Sequence, residues 1–426
     1  MMSNKFAFLA SAAAIAATAM IPADSAAAAD EDFYKNKTVS LVVGFSPGGG
    51  YDTYGRLLAN NMGRHIPGNP KFIVRNMPGA SSLKSVKYLD LTARKDPLVL
   101  VHFNPGVIMK SLTDPKTVGM DLTKIKYVGS ISGEVRVCYF TKASGIRNLE
   151  DFFKRDKVIM GATSTGATSF INASLLRTLF GAKIKHVTGY PGSAEQRIAL
   201  ERGELEGMCG SWTSIPSAWV KSEKIVPIVR FAKMTLDDMP SMPYVMDMAK
   251  TKELQQILKL VLSSGEFGRP VAMGPEVPAA QLKIIRTAFN ATVKDKKFLA
   301  EADKRKREVT SPMTGEEVEA AVKELYETPK DVVAKADQAI SPGDSVEKVK
   351  LSYVTVKGKV TKSKKGNRQI WVSVNGKDVK TKISGNRTKI TVDGKKAKRK
   401  AIKIGMTCAL TYLGPGSESK QIDCKS

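Results

Sequence analysis

Between residues 39 and 340, short apolar runs alternate with amphipathic stretches. The run Val39-Ser40-Leu41-Val42-Val43 is rich in β-branched residues and predicts a strand covered on both faces. Pro47 and the triplet Gly48-Gly49-Gly50 interrupt it. Beyond them Tyr54, Leu57, Leu58 and Met62 recur at helical spacing. The same strand, turn and helix unit then repeats. Strands are expected over 71–76, 97–101, 135–141, 158–161, 184–187 and 205–209, with an extended stretch over 225–231. Helices are expected between them over 84–91, 149–153, 170–180 and 194–202. A second run of helices follows over 253–262, 280–293, 297–306, 315–325 and 329–338, with an extended stretch over 267–273. Thr314 and Glu317 form a T-x-x-E capping box. Strands alternating with helices argue for a parallel sheet covered on both sides, with ligands at the strands' carboxyl ends.

The period changes near residue 351. Residues 351–359, 368–374, 378–383 and 389–392 alternate apolar and polar side chains. Turns fall at 364–367, Asn375-Gly376 and Asp393-Gly394, and the last two are hairpin signals. Five or six short strands predict a small all-β barrel of OB type over 348–426. Ser341-Pro342-Gly343 marks a linker over 341–347.

Charge follows the same division. The 426-residue chain carries a formal +26. Residues 341–426 hold 21 Lys and Arg against 6 Asp and Glu, while the rest holds 46 against 35. In a cytosolic protein such a tail would suggest nucleic acid. Residues 1–29 point elsewhere: Lys5, an apolar or small stretch over 6–21, and A-x-A options over 26–29 make a cleaved secretory signal peptide. The mature protein is therefore expected in the periplasm, as a monomer. There the tail's expected partner is an anionic envelope polymer or lipid head groups, not nucleic acid.

The four cysteines form no C-x-x-C pair, and three histidines give a zinc site little support. No metal or cofactor is expected. Cys408 and Cys424 are close enough in sequence to bond in an exported protein. Cys138 and Cys209 read as buried free thiols.

Glycines before a helix leave backbone N–H groups free at the positive end of its dipole, which makes an anion site. Nucleotide loops do not fit. Gly55 is followed by Arg56 and Leu57 rather than Lys and Ser or Thr, and three contiguous glycines lack the G-x-G-x-x-G spacing. A second loop, over 162–169, offers Thr163, Ser164, Thr165 and Thr168 ahead of another helix. It contains no G-x-S-x-G, and His102 and His186 could serve it as bases only if the fold brings them close. No enzyme chemistry is expected.

The motif Phe45-Ser46-Pro47-Gly48-Gly49-Gly50-Tyr51-Asp52 resembles the first loop of the substrate-binding proteins of tripartite tricarboxylate transporters, the Bug-type periplasmic receptors. Further matches follow in order: Asn76-Met77-Pro78-Gly79-Ala80, the 161–169 loop, Tyr190-Pro191-Gly192, Glu201-Arg202-Gly203-Glu204-Leu205-Glu206-Gly207, Pro240-Ser241-Met242-Pro243 and Gly274-Pro275-Glu276-Val277-Pro278. The resemblance covers about residues 30–340. It implies a type II periplasmic binding-protein fold of two α/β lobes, 30–133 with 232–340 and 134–231. It also implies a small organic anion, a di- or tricarboxylate or related acid, delivered to membrane permease subunits. A sensory role, presenting the ligand to a membrane receptor, is the alternative.

By position, the resemblance assigns the ligand to Phe45, Ser46, Gly48, Gly49 and Asp52 on one lobe. On the other it assigns Ser164, Thr165, Gly166, Ala167 and Thr168, with Tyr190 and Gly192 closing the site. Arg56 or Arg136 would contribute charge. The sequence departs from the family at Ser81-Ser82, where a glycine pair is common, at Glu206, where Asp is usual, and in its basic β tail.

Overall fold

The computed structural model describes residues 32–343, 346–364, 366–385 and 387–426. The expected signal peptide over 1–29 lies outside the described residues.

Strand β1 (Thr38–Val43) is buried at every position after Thr38, as its apolar run requires. It lies between two parallel neighbours, β2 (Lys71–Asn76) and β3 (Val99–His102). The helix Gly50–Met62 packs Tyr54, Leu57, Leu58 and Met62 into one apolar cluster with Val39 and Leu41. Each such side chain contributes about 1.5–3 kcal/mol when fully buried. After β4 (Lys126–Ser130) the chain crosses into a second sheet. This contains β5 (Arg136–Thr141), β6 (Val158–Gly161), β7 (Ile184–Thr188), β8 (Gly207–Ser211) and β9 (Ile225–Arg230).

The chain then returns to the first sheet with β10 (Pro270–Met273) and β11 (Met313–Thr314), completing the order β11-β4-β10-β3-β1-β2. The sheets are mixed rather than wholly parallel. β10 runs antiparallel to both β3 and β4, and β5 runs antiparallel to both β8 and β9. Each of these strands follows a crossing between sheets, so it enters from the end opposite to strands fed by local helices. The capping box of Thr314 and Glu317 forms at the helix Gly315–Tyr326.

Two segments differ from the expected division of the chain. The helix Lys330–Ile340 packs on the second-lobe helix Thr168–Phe180 as well as on Lys252–Ser263. The stretch read as a linker over 341–347 runs into a strand, β12 (Val346–Lys348), which pairs in parallel with β7 and extends the second sheet to β12-β7-β6-β8-β5-β9.

The tail forms its own sheet: β13 (Val354–Lys364), β14 (Gln369–Val374), β15 (Lys377–Lys382), β16 (Lys389–Val392), β17 (Lys395–Lys396), β18 (Thr407–Tyr412) and β19 (Ser419–Lys425). Both predicted hairpin turns place their two residues at positive φ, 51° and 75° at Asn375-Gly376 and 49° and 76° at Asp393-Gly394. That is the turn whose twist suits paired strands. Val360, Ile370, Val372, Leu410 and Ile422 share a separate core, closed by a Cys408–Cys424 disulfide. Cys138 and Cys209 are also bonded, which corrects their reading as free thiols. The sequence hides their proximity, because the register of β5 against β8 sets them directly opposite each other.

The tail domain touches both lobes. Val349 and Leu351 pack into the second-lobe cluster that holds Tyr190 and Trp212, and Arg202 donates to the Leu413 carbonyl. On the first lobe, Arg387 Nη1 donates to the Asn76 carbonyl at 3.3 Å and Lys382 Nζ to the Pro47 carbonyl at 3.4 Å.

Candidate functional site

Three helices begin on one cavity between the lobes. Gly49 and Gly50 open the helix Gly50–Met62, Thr168 and Ser169 open Thr168–Phe180, and Ser193 opens Ser193–Glu201. None of the three starts has a side-chain cap. No capping side chain therefore occupies their first-turn N–H groups, and the dipoles favour an anion.

The cavity measures about 60 Å³, and its charged lining is Glu134, Arg136, Arg197 and Arg269. Arg269, 1% exposed, pairs with Glu134 at 2.5 Å. Its guanidinium also lies 4.5 Å from the ring centres of both Tyr51 and Tyr54. Arg136 is paired with the same carboxylate. Among the lining side chains one carboxylate thus stands against three guanidinium groups, an excess of two positive charges. Nε of Arg136 and Nε of Arg269 are buried without a hydrogen-bond partner. Burial lowers Arg197 from its usual range, while Tyr139, Glu195 and Glu201 partly restore it. A dianion entering here would meet that charge, and its own desolvation would have to be offset by the guanidinium and N–H contacts it gains.

The lobes are held together around the cavity by side chains from both. Ser46 N donates to the Pro191 carbonyl at 3.2 Å and Ser46 Oγ to Glu195 Oε2 at 2.6 Å. Arg197 Nη2 donates to the Gly48 carbonyl at 3.1 Å. Ser81 Oγ lies 2.5 Å from Thr163 Oγ1 and accepts from Ser164 at 2.7 Å. Ala80, Ser81 and Ser82 all sit at positive φ, 45°, 53° and 87°. Non-glycine residues held there carry backbone strain, which these contacts must offset.

Of the twelve residues assigned by resemblance, Phe45, Gly49 and Thr168 line the cavity. Ser46 and Gly192 sit where the lobes touch, and a Cβ on Gly192 would come within 2.4 Å of Ser46 Oγ. Ser164 is engaged with Ser81. Thr165 and Gly166 face a separate cavity beside Lys110 and Asp337. Ala167 packs against Phe170 and Val346, and Tyr190 packs into the second-lobe core. Asp52 turns away from the cavity. It accepts from Gly48 N at 2.9 Å, from Arg56 Nη2 at 2.7 Å and from Asn76 Nδ2 at 2.8 Å. Gly48 and Arg56 lie beside it on the tail-domain side. Glu206 pairs with Arg155 at 2.8 Å, away from the cavity. Glu134, Arg197, Arg269 and Ser193 were not anticipated.

No protein-family model matches the chain. Over 229 residues, 50% of its length, it is 26% identical to the UPF0065 protein in the TAR-I ttuE-ttuC' intergenic region of Agrobacterium vitis, and it spans 62% of that relative's length. The solved structure of the periplasmic binding protein BugD is similar with a TM-score of 0.61 at 16% identity, over 74% of this chain and 100% of that one. The fold is that of the Bug-type periplasmic binding proteins. A second structure with this fold, MatC from Rhodopseudomonas palustris with bound malate, is similar with a TM-score of 0.58 at 18% identity, over 70% of this chain and 99% of that one. In the Bug-type frame the cavity sits where two lobes meet, and the helix starts at Gly50 and Thr168 face it from opposite lobes.

Proposed function

We propose that this chain is a periplasmic receptor that closes its two lobes on a small dicarboxylate and delivers it to a tripartite secondary transporter. The observation that carries this reading is the excess of two guanidinium charges in a cavity ringed by three uncapped helix starts. Two carboxylates match that excess. MatC, of the same fold, is bound to malate, itself a dicarboxylate. We place the ligand against Gly49, Thr168, Ser169 and Ser193, with Arg136, Arg197 and Arg269 supplying charge. Charge-assisted hydrogen bonds contribute about 1.5–3 kcal/mol each. A handful reaches the roughly 8 kcal/mol of micromolar binding after ordering costs.

A calorimetric and thermal-shift screen of mono-, di- and tricarboxylates tests the reading. A dicarboxylate should raise the melting temperature and bind with about micromolar affinity. Stabilisation by uncharged or cationic solutes, with none by carboxylates, would overturn it.

The tail sheet is read here as an OB-type barrel. Supporting this, Lys382 N donates to the Ser417 carbonyl at 2.9 Å and Gly416 N to the Lys380 carbonyl at 2.6 Å, joining edge strand β15 to the approach of β19. Its exposed lysines Lys395, Lys396, Lys398 and Lys400 suit an anionic envelope polymer. Sedimentation with envelope fragments should then fall with salt and with Lys→Gln changes at these four positions.

A further inference from the structure

A larger cavity, about 430 Å³, lies along the seam between the first lobe and the tail domain. It is separate from the inter-lobe cavity, and the two share no lining residue. Seven cationic side chains line it against two carboxylates, an excess of five positive charges. Both carboxylates are already engaged, Asp52 with Arg56 at 2.7 Å and Glu418 with Arg387 at 2.7 Å. Arg305 is paired with Glu301. Among the described residues, no carboxylate lies within ion-pair distance of Arg75, Arg368, Arg399 or Lys382. Partial burial, then the facing charges of Arg399 and Arg56, lower Arg368 from its usual range. Burial likewise lowers Lys382. Three unpaired guanidinium forks and a half-buried ammonium thus face one space, drawn from β2 and from three parts of the tail domain.

Cations gather in this way only at an electrostatic cost, and random surface charge would spread out instead. Arginine forks suit bidentate capture of phosphate-type oxygens, and they predominate here over lysine. The volume holds several linked anionic groups rather than one. We propose that this seam is a second anion site, for a compact polyanion carrying several phosphate-type charges. Because its walls belong to two domains, an occupant would also bind the tail domain to the loop holding Pro47, Gly48 and Asp52. The proposal goes beyond carboxylate capture and beyond the lysine-rich face of the tail.

The test is titration of the whole purified protein with inorganic tripolyphosphate at constant ionic strength, followed by calorimetry and thermal shift. Saturable binding with a rise in melting temperature is expected, with orthophosphate giving a much smaller rise. The triple variant R75Q/R368Q/R399Q should lose at least tenfold in affinity. The charge-conserving R75K/R368K/R399K should fall between it and the parent. A control triple outside the seam, K357Q/K359Q/K389Q, should stay within twofold of the parent. Without anion, the glutamine triple should melt no lower than the parent, because it relieves like-charge repulsion. Equal weakening by the control triple would assign binding to diffuse tail charge and overturn the site. Equal stabilisation by orthophosphate would reduce it to a salt effect. Long-chain polyphosphate that binds while tripolyphosphate does not would also overturn it, in favour of a polymer surface. A carboxylate screen that finds no cleft ligand leaves each of these outcomes readable.

Discussion

Ser46 of the first lobe and Glu195 of the second share a buried 2.6 Å hydrogen bond where the lobes touch. Burial raises Glu195 above its ordinary value of 4.5, while the Ser46 bond, Lys382 and Arg197 pull it back. The closed form therefore holds its proton to higher pH than an open, solvated Glu195 would. Closure should be favoured as pH falls from the raised value towards 4.5, and lose that contribution above it. Small-angle scattering against pH checks this. Glu195→Gln should flatten the trend, and Ser46→Ala should weaken closure by about 1 kcal/mol.

Arg197 reaches from the second lobe to the Gly48 carbonyl and lines the cleft. Arg197→Gln should remove one of the two excess charges. Dicarboxylate affinity should drop by about 10- to 150-fold, from a loss of about 1.5–3 kcal/mol. A monocarboxylate should lose less. Calorimetry of the two ligand types on the variant decides it, and equal losses would argue against a dianion.

His186 lies on β7 with its ring centre 4.3 Å from that of Phe170, and both ring nitrogens are buried without partners. Burial, helped by Arg177, lowers it from 6.5 to about 3. The folded state thus refuses a proton that the unfolded chain accepts. Stability from this group should fall as pH drops from 6.5 towards 3, by up to about 1.4 kcal/mol per pH unit. His186→Leu should raise stability at pH 7 by about 1–3 kcal/mol and remove its share of the acid loss. Urea unfolding at pH 7 and pH 5 measures both. His102, also lowered to about 3 by burial, should keep its own acid contribution in that variant.

The two disulfides close loops of different span, 71 and 16 residues. Loop entropy assigns them about 4 and about 3 kcal/mol. Cys138→Ser/Cys209→Ser should therefore cost more stability than Cys408→Ser/Cys424→Ser, and should act on the lobes rather than the tail. The untreated native protein should show no titratable thiol.

Much of the fold can be read from residue pattern alone. The β1 run, the helix stripe from Tyr54 to Met62, the capping box at Thr314 and the two hairpin turns are local signals, and local physics satisfies them. The mixed strand directions are not local, since they depend on where the chain crosses between lobes. The same limit applies to the cleft. Glycine and hydroxyl loops ahead of helices were legible because helix starts advertise themselves. Glu134 and Arg136 did leave a trace, as alternate positions at the start of a strand. Arg269 did too, as a lone charge ahead of the apolar run of β10. Nothing in the sequence brings these three together, because only tertiary folding sets the residue ahead of β10 against those at the start of β5. Asp52 shows the converse: a residue of the right type in the right loop, bound by Arg56 and Asn76 on the far side.

Strand β12 occupies what would otherwise be the bare outer edge of the second sheet. A chain cut after residue 340 would leave the backbone of β7 unpaired along that edge and uncover the apolar seat of Val349 and Leu351. Exposed edges of this kind template strand-to-strand association between copies. The tail would then guard against aggregation, and a chain shortened in this way should precipitate more readily even with its cleft intact.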